Sequence, residues 1–485
     1  IDTRFDKSSY FNEWVEYRDC ISSIPKSNTD TRHGTEVSSI IVDGPTLNPQ
    51  LDDGCGRFRV RHFGVAVEQA NSMLTIMDQI RSIVPKNLDI KVWNLSLGTD
   101  APVNPNSISP LAALLDDLQY RYDVIFVVAG TNVPVTAPNR NMTIGSPADS
   151  INSLVVNACD YSGTMAADYD RHGPVLSFFH KPDIAYYGGD KTIPMQVWSN
   201  SALCEDQGTS FAAPWIARKL AYLIEVMGFS RETAKALIID SACSWTSRDN
   251  WDWTRCGFGI PPVSIEDIVS TANNEIRFIL TGNSQQYETY QLQLPVPRDD
   301  KDKYPFIARA TLCYSPQCDR NQGVDYTKTE LDLHFGRVKP PKRRTSSNTT
   351  PLPSIESING NRQADFEEYR YLPEESARQH YRKWDNVKHI SDIERTRFAA
   401  RKNFTEDGFW GISLRAKERW ENRPGEPSRN LRFSVVVTLK EMYGKNRIED
   451  FKRLCMVYGW VVNNVEIANR VNVYQEAEAE ISFED

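Results

Sequence analysis

The sequence predicts an α/β domain, built on a parallel sheet flanked by helices, followed by a C-terminal β-sandwich-like domain with a charged, partly helical insertion. Up to about residue 265, short apolar segments alternate with segments of helical periodicity, which is typical of a parallel sheet covered by helices. Beyond that residue, apolar side chains recur at every second position, which indicates half-buried antiparallel strands. A chain of 485 residues is also longer than one ordinary domain.

In the first domain, predicted at residues 1–265, strands and helices can be located one by one. Strands are expected at 57–60, 90–97, 124–128 and 154–156, and helices at 66–84, 111–122, 231–239 and from Ser210 onward. Segment 124–128 is continuously apolar, as expected for a strand that is buried on both faces. Ser230 is a suitable N-cap for the helix that follows it.

The second domain, predicted at residues 266–485, shows the period-2 alternation in several segments. These are Ile276 with Phe278 and Leu280, Tyr290 with Leu292 and Leu294, Leu331 with Leu333 and Phe335, and the segments 431–439 and 471–481. Residues 339–353 are rich in Pro, Ser and Thr, and residues 369–401 are highly charged. We therefore expect a polar, partly helical insertion at about 339–425.

Composition and charge argue against several classes of function. The net charge is −8 and no long basic run dominates, so nucleic acid is not an expected partner. No segment approaches ~20 consecutive apolar residues, and no signal-peptide pattern is seen, so no membrane partner is expected. The nine cysteines are irregularly spaced without a zinc pattern, which favours a reducing, cytoplasmic setting over a secreted one.

Two short segments carry the chemical signal. In segment 208–214, GTSFAAP, Ser210 follows a glycine turn and opens an apolar helix, whose dipole favours a developing negative charge. Taken alone, an ordinary N-cap serine explains this segment equally well. Segment 32–37, RHGTEV, adds His33, and histidine is the usual general base for a serine nucleophile because its pKa lies near neutrality.

These segments and four others resemble the motifs of the subtilases, the subtilisin-like serine peptidases. The motifs occur in the family's order: HGTEV at 33–37, SLG at 96–98, SPA at 146–148, KPDI at 181–184, GTSFAAP at 208–214 and GFG at 257–259. The resemblance covers about residues 1–265. It implies a serine endopeptidase with a subtilisin-like parallel sheet, in which Ser210 is the nucleophile and His33 the general base.

The resemblance also implies an aspartate that orients the histidine. Asp2 with Thr3 lies 31 residues before His33 and matches the family's motif, although Arg4 stands where the family has glycine. Asp30 is nearer to His33, but it lies in a turn, where aspartate is common. We expect Asp2 to complete the triad. The remaining alternatives are Asp30, Asp6, Asp19 or no aspartate.

The donor that would stabilise an oxyanion is either Asn132 or Thr131. The family uses an asparagine directly after a strand that ends in Ala-Gly, and here the strand is followed by AGTN at 129–132. We favour Asn132, since an amide is the better donor, and Thr131 would serve if the turn holds no extra residue. The resemblance further implies that an extended polypeptide substrate is bound by Ser96, Leu97, Gly98, Gly130 and Thr131.

No cofactor is required for this chemistry, and no metal ligands are predicted. Many subtilases bind structural calcium, and loop 43–53 carries Asp and Asn side chains that could hold such an ion, although it lacks an EF-hand spacing. Structural calcium is therefore an open expectation.

Two other interpretations stay open. The chain could be a catalytically silent subtilase-fold protein that acts as a binding or regulatory module. It could also be a conditional protease, held inactive by its own C-terminal domain or by a partner, since an unregulated endopeptidase would harm the cytoplasm. Some bacterial subtilases with such extensions resemble partners of AAA-type ATPases in stress or phage defence, so an ATPase of this type is a candidate partner.

Overall fold

The computed structural model describes residues 1–27, 29–67, 72–176, 179–246, 251–284, 289–302, 304–339, 354–358, 385–392, 408–421 and 430–465. The strands up to residue 206 are β1 (Asp2–Thr3), β2 (Val15–Asp19), β3 (Val60–Ala66), β4 (Val92–Leu95), β5 (Ile125–Ala129), β6 (Leu154–Cys159), β7 (Ile184–Tyr187), β8 (Met195–Ser199) and β9 (Ala202–Asp206). The α-helices are α1 (Arg32–Leu47), α2 (Met73–Ile83), α3 (Pro110–Tyr122), α4 (Thr209–Ala221), α5 (Arg231–Ala242), α6 (Trp253–Cys256), α7 (Ile265–Val269) and α8 (Ile448–Val457).

A parallel sheet forms the centre of the first domain. Strands β2, β3 and β1 pair in parallel in that order, and so do β4, β5, β6 and β7. The two halves meet where the Ile1 backbone nitrogen donates to the Asn94 carbonyl oxygen at 2.9 Å. This arrangement confirms the predicted parallel sheet with flanking helices.

Helices cover both faces of this sheet. On one face, Val127 of β5 belongs to a core with Trp215 of α4. On the other face, Phe126 and Val128 of the same strand belong to a core with Leu115 of α3. Successive residues of β5 thus enter opposite cores, which explains why segment 124–128 is apolar throughout.

The chain after residue 275 forms two antiparallel sheets. Their strands are β10 (Glu275–Ser284), β11 (Thr289–Pro295), β12 (Phe306–Tyr314), β13 (Thr329–Lys339), β14 (Ser354–Ser357), β15 (Val387–Ser391), β16 (Phe409–Glu418) and β17 (Leu431–Glu441). One sheet has the order β10-β17-β12-β15 and the other β11-β16-β13-β14. Leu312 and Val437 from the first sheet share a core with Leu333 and Ile412 from the second, which confirms the β-sandwich-like prediction.

Strands of the sandwich also occur in the range 339–425, where the sequence predicts a polar insertion. β14, β15 and β16 lie within this range, and β16 buries Trp410, Ile412 and Leu414 while Arg415 is exposed. The alternation in β16 follows the period of a strand, and the charged segments around it mask this signal in the sequence. Most of the remaining range, and the predicted strand at 471–481, lie outside the described residues.

Helix α5 is enclosed between the two domains. It packs on helices α4 and α7 of the first domain and on strands β12 and β17 of the sandwich. The buried Asp240 of α5 accepts hydrogen bonds from Arg309 at 3.1 Å, Thr311 at 3.0 Å and Thr438 at 3.1 Å. A buried charge pair therefore fixes the sandwich to the side of the first domain that carries α5.

Two further findings concern the oxidation state of the cysteines and the length of the helices. All nine cysteines are free thiols, and Cys159 is buried at the end of β6. Within the described ranges, none of the helices combines the length and the apolar character that crossing a membrane requires.

Candidate active site

The carboxylate of Asp2 and the imidazole of His33 are in direct contact. Asp2 lies in β1, His33 is the second residue of α1, and Asp2 Oδ1 is 2.6 Å from His33 Nδ1. The same oxygen accepts a hydrogen bond from the Thr3 backbone N–H at 2.7 Å. The side chain of Asp2 is 2% exposed and that of His33 is 32% exposed. A buried carboxylate thus holds one nitrogen of a histidine ring that is partly open to solvent.

This contact shifts the pKa values of both groups. Burial alone would raise the pKa of Asp2, but the charge of His33 and the hydrogen bond outweigh it and hold that pKa below 3.8. Burial alone would lower the pKa of His33, but the charge of Asp2 and the hydrogen bond outweigh it and raise that pKa above 6.5. His33 is therefore a stronger base than a free histidine.

Thr3 and His62 fix the strand that carries Asp2 to the helix that carries His33. Thr3 Oγ1 accepts from the Gly34 backbone N–H at 2.8 Å, and the Thr3 carbonyl oxygen lies 2.7 Å from His62 Nε2. His62 Nδ1 lies 2.9 Å from Ser38 Oγ of α1. Because a carbonyl oxygen can only accept, His62 Nε2 carries the proton and Nδ1 accepts from Ser38. Burial lowers the pKa of His62 to about 4, which keeps the ring neutral.

Ser210 lies in the first turn of helix α4, whose N-cap is Gly208. Its backbone N–H is among the groups that a helix leaves without an internal partner. Ser210 Oγ donates to the Ser96 carbonyl oxygen at 3.3 Å, and no hydrogen bond joins it to His33 among the described residues. The ring of Phe211, the next residue, is 6.1 Å from the His33 ring. The predicted nucleophile and the predicted base are therefore neighbours without a direct hydrogen bond.

Asn132 directs its side-chain amide towards the start of α4. Its Oδ1 accepts from the backbone N–H and from the hydroxyl of Thr209, both at 3.0 Å. The same contact leaves Nδ2 as a donor beside Gly208, where an added Cβ atom would lie 2.9 Å from it. Nδ2 and the Ser210 N–H are therefore both donors at the start of α4, and donors of these two kinds can stabilise an oxyanion.

Thr131 is engaged elsewhere. Its hydroxyl donates to the Gly130 carbonyl oxygen at 2.6 Å and accepts from the Gly145 backbone N–H at 2.8 Å. Since its single proton is already used, the Thr131 side chain has no donor left for an oxyanion. The geometry therefore favours Asn132 over Thr131 at this position.

The residues predicted to bind substrate lie at the ends of two paired strands. Ser96, Leu97 and Gly98 follow β4, and Gly130 follows β5, which pairs with β4 in parallel. Ser96 and Gly130 are buried, Leu97 is half-buried and Gly98 is exposed. A Cβ atom on Gly130 would lie 1.6 Å from Asn157 Oδ1, so only glycine is accommodated there.

The alternative aspartates bind other groups. Asp30 accepts from Arg4 Nη1 at 3.0 Å, and Asp19 lies 3.4 Å from Arg4 Nε. Asp6 accepts from the backbone N–H and the hydroxyl of Ser8. Of the four candidates, Asp2 is the one that contacts His33 within the described residues.

Two of the carboxylates of loop 43–53 bind other side chains of the protein. Asp43 accepts from Tyr10 at 2.7 Å and from Arg57 at 3.1 Å, and Asp53 accepts twice from Arg218 at 2.8 Å. In the part of the chain that the structure describes, no group of three or more His, Cys, Asp or Glu side chains is positioned to hold a metal ion. Calcium binding by this loop stays a prediction.

The roles of His62 and Arg4 were not predicted from the sequence. Both residues act through partners that are distant along the chain, with separations of 59 residues to Thr3 and 26 residues to Asp30. What the sequence does show is a polar residue at an unusual place, His62 within an apolar strand segment and Arg4 at a motif position that is glycine in the family. This does not identify the residue that each of them contacts.

Comparison with known proteins gives a family. The model of the Subtilase family matches residues 2–275. The prenylagaramide maturation protease PagA is similar in structure, with a TM-score of 0.41 and 21% identity over 55% of this chain and 90% of that chain. The patellamide maturation protease PatA is also similar, with a TM-score of 0.41 and 19% identity over 54% of this chain and 92% of that chain. A cold-adapted subtilisin-like serine proteinase has a TM-score of 0.40 and 18% identity over 54% of this chain and 85% of that chain.

No curated protein sequence matches the chain. The family match begins at Asp2, includes the segments that carry His33 and Ser210, and extends over the whole parallel-sheet domain. Since it spans more than half of the 485 residues, the chain belongs to the subtilase family of serine peptidases.

Proposed function

We propose that this subtilase is a serine endopeptidase that cleaves polypeptides through an acyl-enzyme formed on Ser210. The observation that carries the proposal is the 2.6 Å contact between Asp2 and His33, next to a serine at a helix N-terminus. A buried carboxylate that raises the pKa of a partly exposed histidine suits that ring to a proton transfer, and Ser210, whose neighbour Phe211 contacts the ring, can supply the nucleophile.

Each residue has a defined role in the proposed reaction. Asp2 holds the His33 ring so that Nε2 is free to accept a proton, and His33 takes that proton from Ser210 Oγ as the oxygen attacks the scissile carbonyl. The carbonyl oxygen then becomes an oxyanion, stabilised by Asn132 Nδ2 and the Ser210 N–H. His33 passes the proton to the leaving amine, which leaves the acyl group as an ester on Ser210 Oγ. Water, deprotonated by His33, then attacks this ester, and the same proton returns to Ser210 Oγ as the acid product leaves.

The Ser210 side chain must turn before the reaction begins. Its hydroxyl donates to the Ser96 carbonyl oxygen at 3.3 Å, a long hydrogen bond that costs little to break. Rotation about the Cα–Cβ bond brings Oγ away from Ser96. Catalytic hydrogen bonds are often loose in free enzymes and tighten when substrate binds, so this geometry is compatible with the proposal.

The proposed substrate is an extended polypeptide. Ser96, Leu97 and Gly98 continue from β4 beyond its pairing with β5, and Gly98 is exposed. A substrate strand that pairs with this segment would have its backbone beside Ser210, and main-chain hydrogen bonds would bind it without regard to most side chains.

Digestion of an unfolded polypeptide tests the proposal. The wild-type chain is expected to cleave reduced casein, and Ser210→Ala is expected to lose that cleavage. Ser82→Ala is the matched control, because Ser82 is an exposed serine on α2 far from the triad in sequence. Cleavage that persists in Ser210→Ala would contradict the proposal.

A catalytically silent binding module is the second candidate. The observation that favours it is the absence, among the described residues, of a hydrogen bond between Ser210 and His33. The Ser210→Ala variant separates the two functions, since a binding role should survive that change whereas peptide cleavage should not.

Regulation by the C-terminal domain or by a partner is a further part of the proposal. Arg320 of that domain donates to the Ile108 carbonyl oxygen at 2.7 Å, and Tyr326 donates to the buried Asp116 at 2.6 Å. Ile108 belongs to the loop between the substrate segment and helix α3, so the C-terminal domain could control access through this loop. Full-rate digestion by the purified chain, unchanged by Arg320→Ala, would count against such control.

A further inference from the structure

We propose that Thr131 restricts the residue on the acyl side of the scissile bond to glycine, alanine or serine. The inference rests on the proposed function and narrows its substrate class. It concerns the gap between segment 96–98 and residues 130–131, which we call the acyl slot.

The acyl slot lies where the side chain of the acyl-side residue must enter. β4 and β5 pair as far as Leu95 and Val128, and segments 96–98 and 129–131 follow directly after this pairing. Ser210 Oγ lies against the Ser96 carbonyl oxygen, so a peptide carbonyl within reach of Ser210 has its own residue beside Ser96. Successive side chains of an extended strand point to opposite faces, and on one of these faces the space next to Ser96 and Gly98 is the slot.

The side chain of Thr131 occupies this slot. A Cβ atom added to Gly98 would lie 2.5 Å from Thr131 Cγ2, so the methyl group already fills the space beside Gly98. Its hydroxyl is held by the Gly130 carbonyl oxygen and the Gly145 N–H. Thr131 is 8% exposed, which means that it covers the space and is itself nearly enclosed.

The backbone around the acyl slot is hydrogen-bonded, so the slot cannot enlarge to admit a larger side chain. The Thr99 N–H donates to the Ser146 carbonyl oxygen at 2.8 Å, and the Val103 N–H donates to the Ile144 carbonyl oxygen at 2.9 Å. A Cβ atom on Gly145 would lie 2.2 Å from the Thr99 carbonyl oxygen. Paired backbone therefore closes the slot on the side of Thr99 and Gly145.

The backbone conformation of Thr131 supports a role of its side chain in substrate selection. Its φ is +71°, in the left-handed region that a β-branched residue rarely adopts. Strain of this kind is retained where the surrounding structure requires it and is concentrated at functional sites. Glycine would adopt the same backbone without strain, but it would leave the slot open.

A large acyl-side residue must therefore displace Thr131 and break both hydrogen bonds of its hydroxyl. Glycine, alanine and serine side chains need no such change. Discrimination by a filled apolar pocket typically amounts to roughly 10–200-fold per added group, so phenylalanine should be strongly rejected.

The test measures kcat/KM of the full chain on peptides that differ only in the acyl-side residue, which is Gly, Ala, Ser, Leu or Phe. For the wild type, we expect alanine to exceed phenylalanine by roughly 10²-fold. In Thr131→Gly, we expect this ratio to fall at least about tenfold. Thr131→Ser removes the methyl group and keeps the hydroxyl, so its ratio should be intermediate. Thr136→Gly, a change at an exposed residue of the same loop, is the control and should keep the wild-type ratio.

A wild type that cleaves after phenylalanine as readily as after alanine would overturn the inference, and so would an unchanged ratio in Thr131→Gly. Labelling of Ser210 by a small fluorophosphonate separates this result from failure of the proposed function. Labelled protein without the preference overturns the inference alone. Absence of labelling in every form overturns the proposed function and the inference with it.

Discussion

Arg4 Nη1 donates to Asp30 Oδ2 at 3.0 Å, and the guanidinium group is completely buried. The same group donates to the carbonyl oxygens of Ile21, Ile24 and Pro25. Arg4 stands where the family has glycine, and its contacts join the strand of Asp2 to the turn that leads to His33. The departure from the motif thus brings an additional support for the Asp2–His33 pair, and Asp30 belongs to that support.

Asp2→Asn and Asp30→Asn should therefore have different effects. Asp2→Asn is expected to lower kcat by roughly 10⁴-fold, because the amide no longer favours the right tautomer and charge of His33. Asp30→Asn is expected to lower the free energy of unfolding by about 1–3 kcal/mol, because the buried Arg4 then keeps a single carboxylate partner, Asp19. Steady-state kinetics and urea unfolding of both variants measure this. Equal losses of kcat in the two variants would contradict the assignment of Asp2.

The pH dependence of kcat/KM should reflect the raised pKa of His33. The ring must be neutral to accept a proton, so activity should fall as the pH falls through a pKa above 6.5. Asp206 is a smaller contributor to this raised pKa, after Asp2 and Glu36. Asp206→Asn should move the acid limb of the profile to lower pH, while Asp168→Asn, at an exposed site, should not. An acid limb below 6.5 in the wild type would contradict the account.

Asn132 should be needed for the rate of peptide cleavage and not for substrate binding. Asn132→Asp keeps an oxygen that accepts from Thr209 but loses the Nδ2 donor. We expect kcat to fall by at least roughly 10²-fold, the lower end of what loss of one such donor costs in subtilisin, with KM little changed. Thr131→Val, which removes a hydroxyl engaged with Gly145, should spare kcat relative to Asn132→Asp. The reverse order of the two variants would support Thr131 as the donor.

His62 is expected to act as a positioning residue. His62→Leu removes the donor to the Thr3 carbonyl oxygen, and the displaced Asp2 should cost roughly 10- to 10²-fold in kcat with KM unchanged. His62→Gln keeps an N–H donor and should recover part of the loss. The acid limb should also shift in His62→Leu, because the contact of Asp2 with His33 sets that pKa. A loss of stability without a change in kcat or in the pH profile would mean that His62 is structural alone.

The sequence predicts the helices and strands best where a cap or a long apolar run marks them. The predicted helix 111–122 corresponds to Pro110–Tyr122, with Ser109 as its N-cap, and 231–239 corresponds to Arg231–Ala242 after Ser230. The predicted helix 66–84 was wrong at its start, since Ala66 ends strand β3 and the helix begins at Met73. A short buried strand and a buried helix segment have the same apolar pattern, so periodicity does not separate them.

For the site, local motifs predict the residue types, and the fold determines which of them meet. Asp2 and His33 are 31 residues apart and their contact depends on the packing of α1 against β1. The choice between Thr131 and Asn132 depends on the hydrogen bonds that each side chain makes, which the sequence does not reveal. The contact of His62 with Thr3 follows from the pairing of β3 with β1, a long-range event.

The most direct test of the central claim is labelling by a fluorophosphonate, with the modified residue mapped by mass spectrometry. The account predicts one adduct, on Ser210, that is absent in Ser210→Ala and forms far more slowly in His33→Ala. No adduct on the wild type, or an adduct that persists in Ser210→Ala, would contradict the claim that His33 activates Ser210 as a nucleophile.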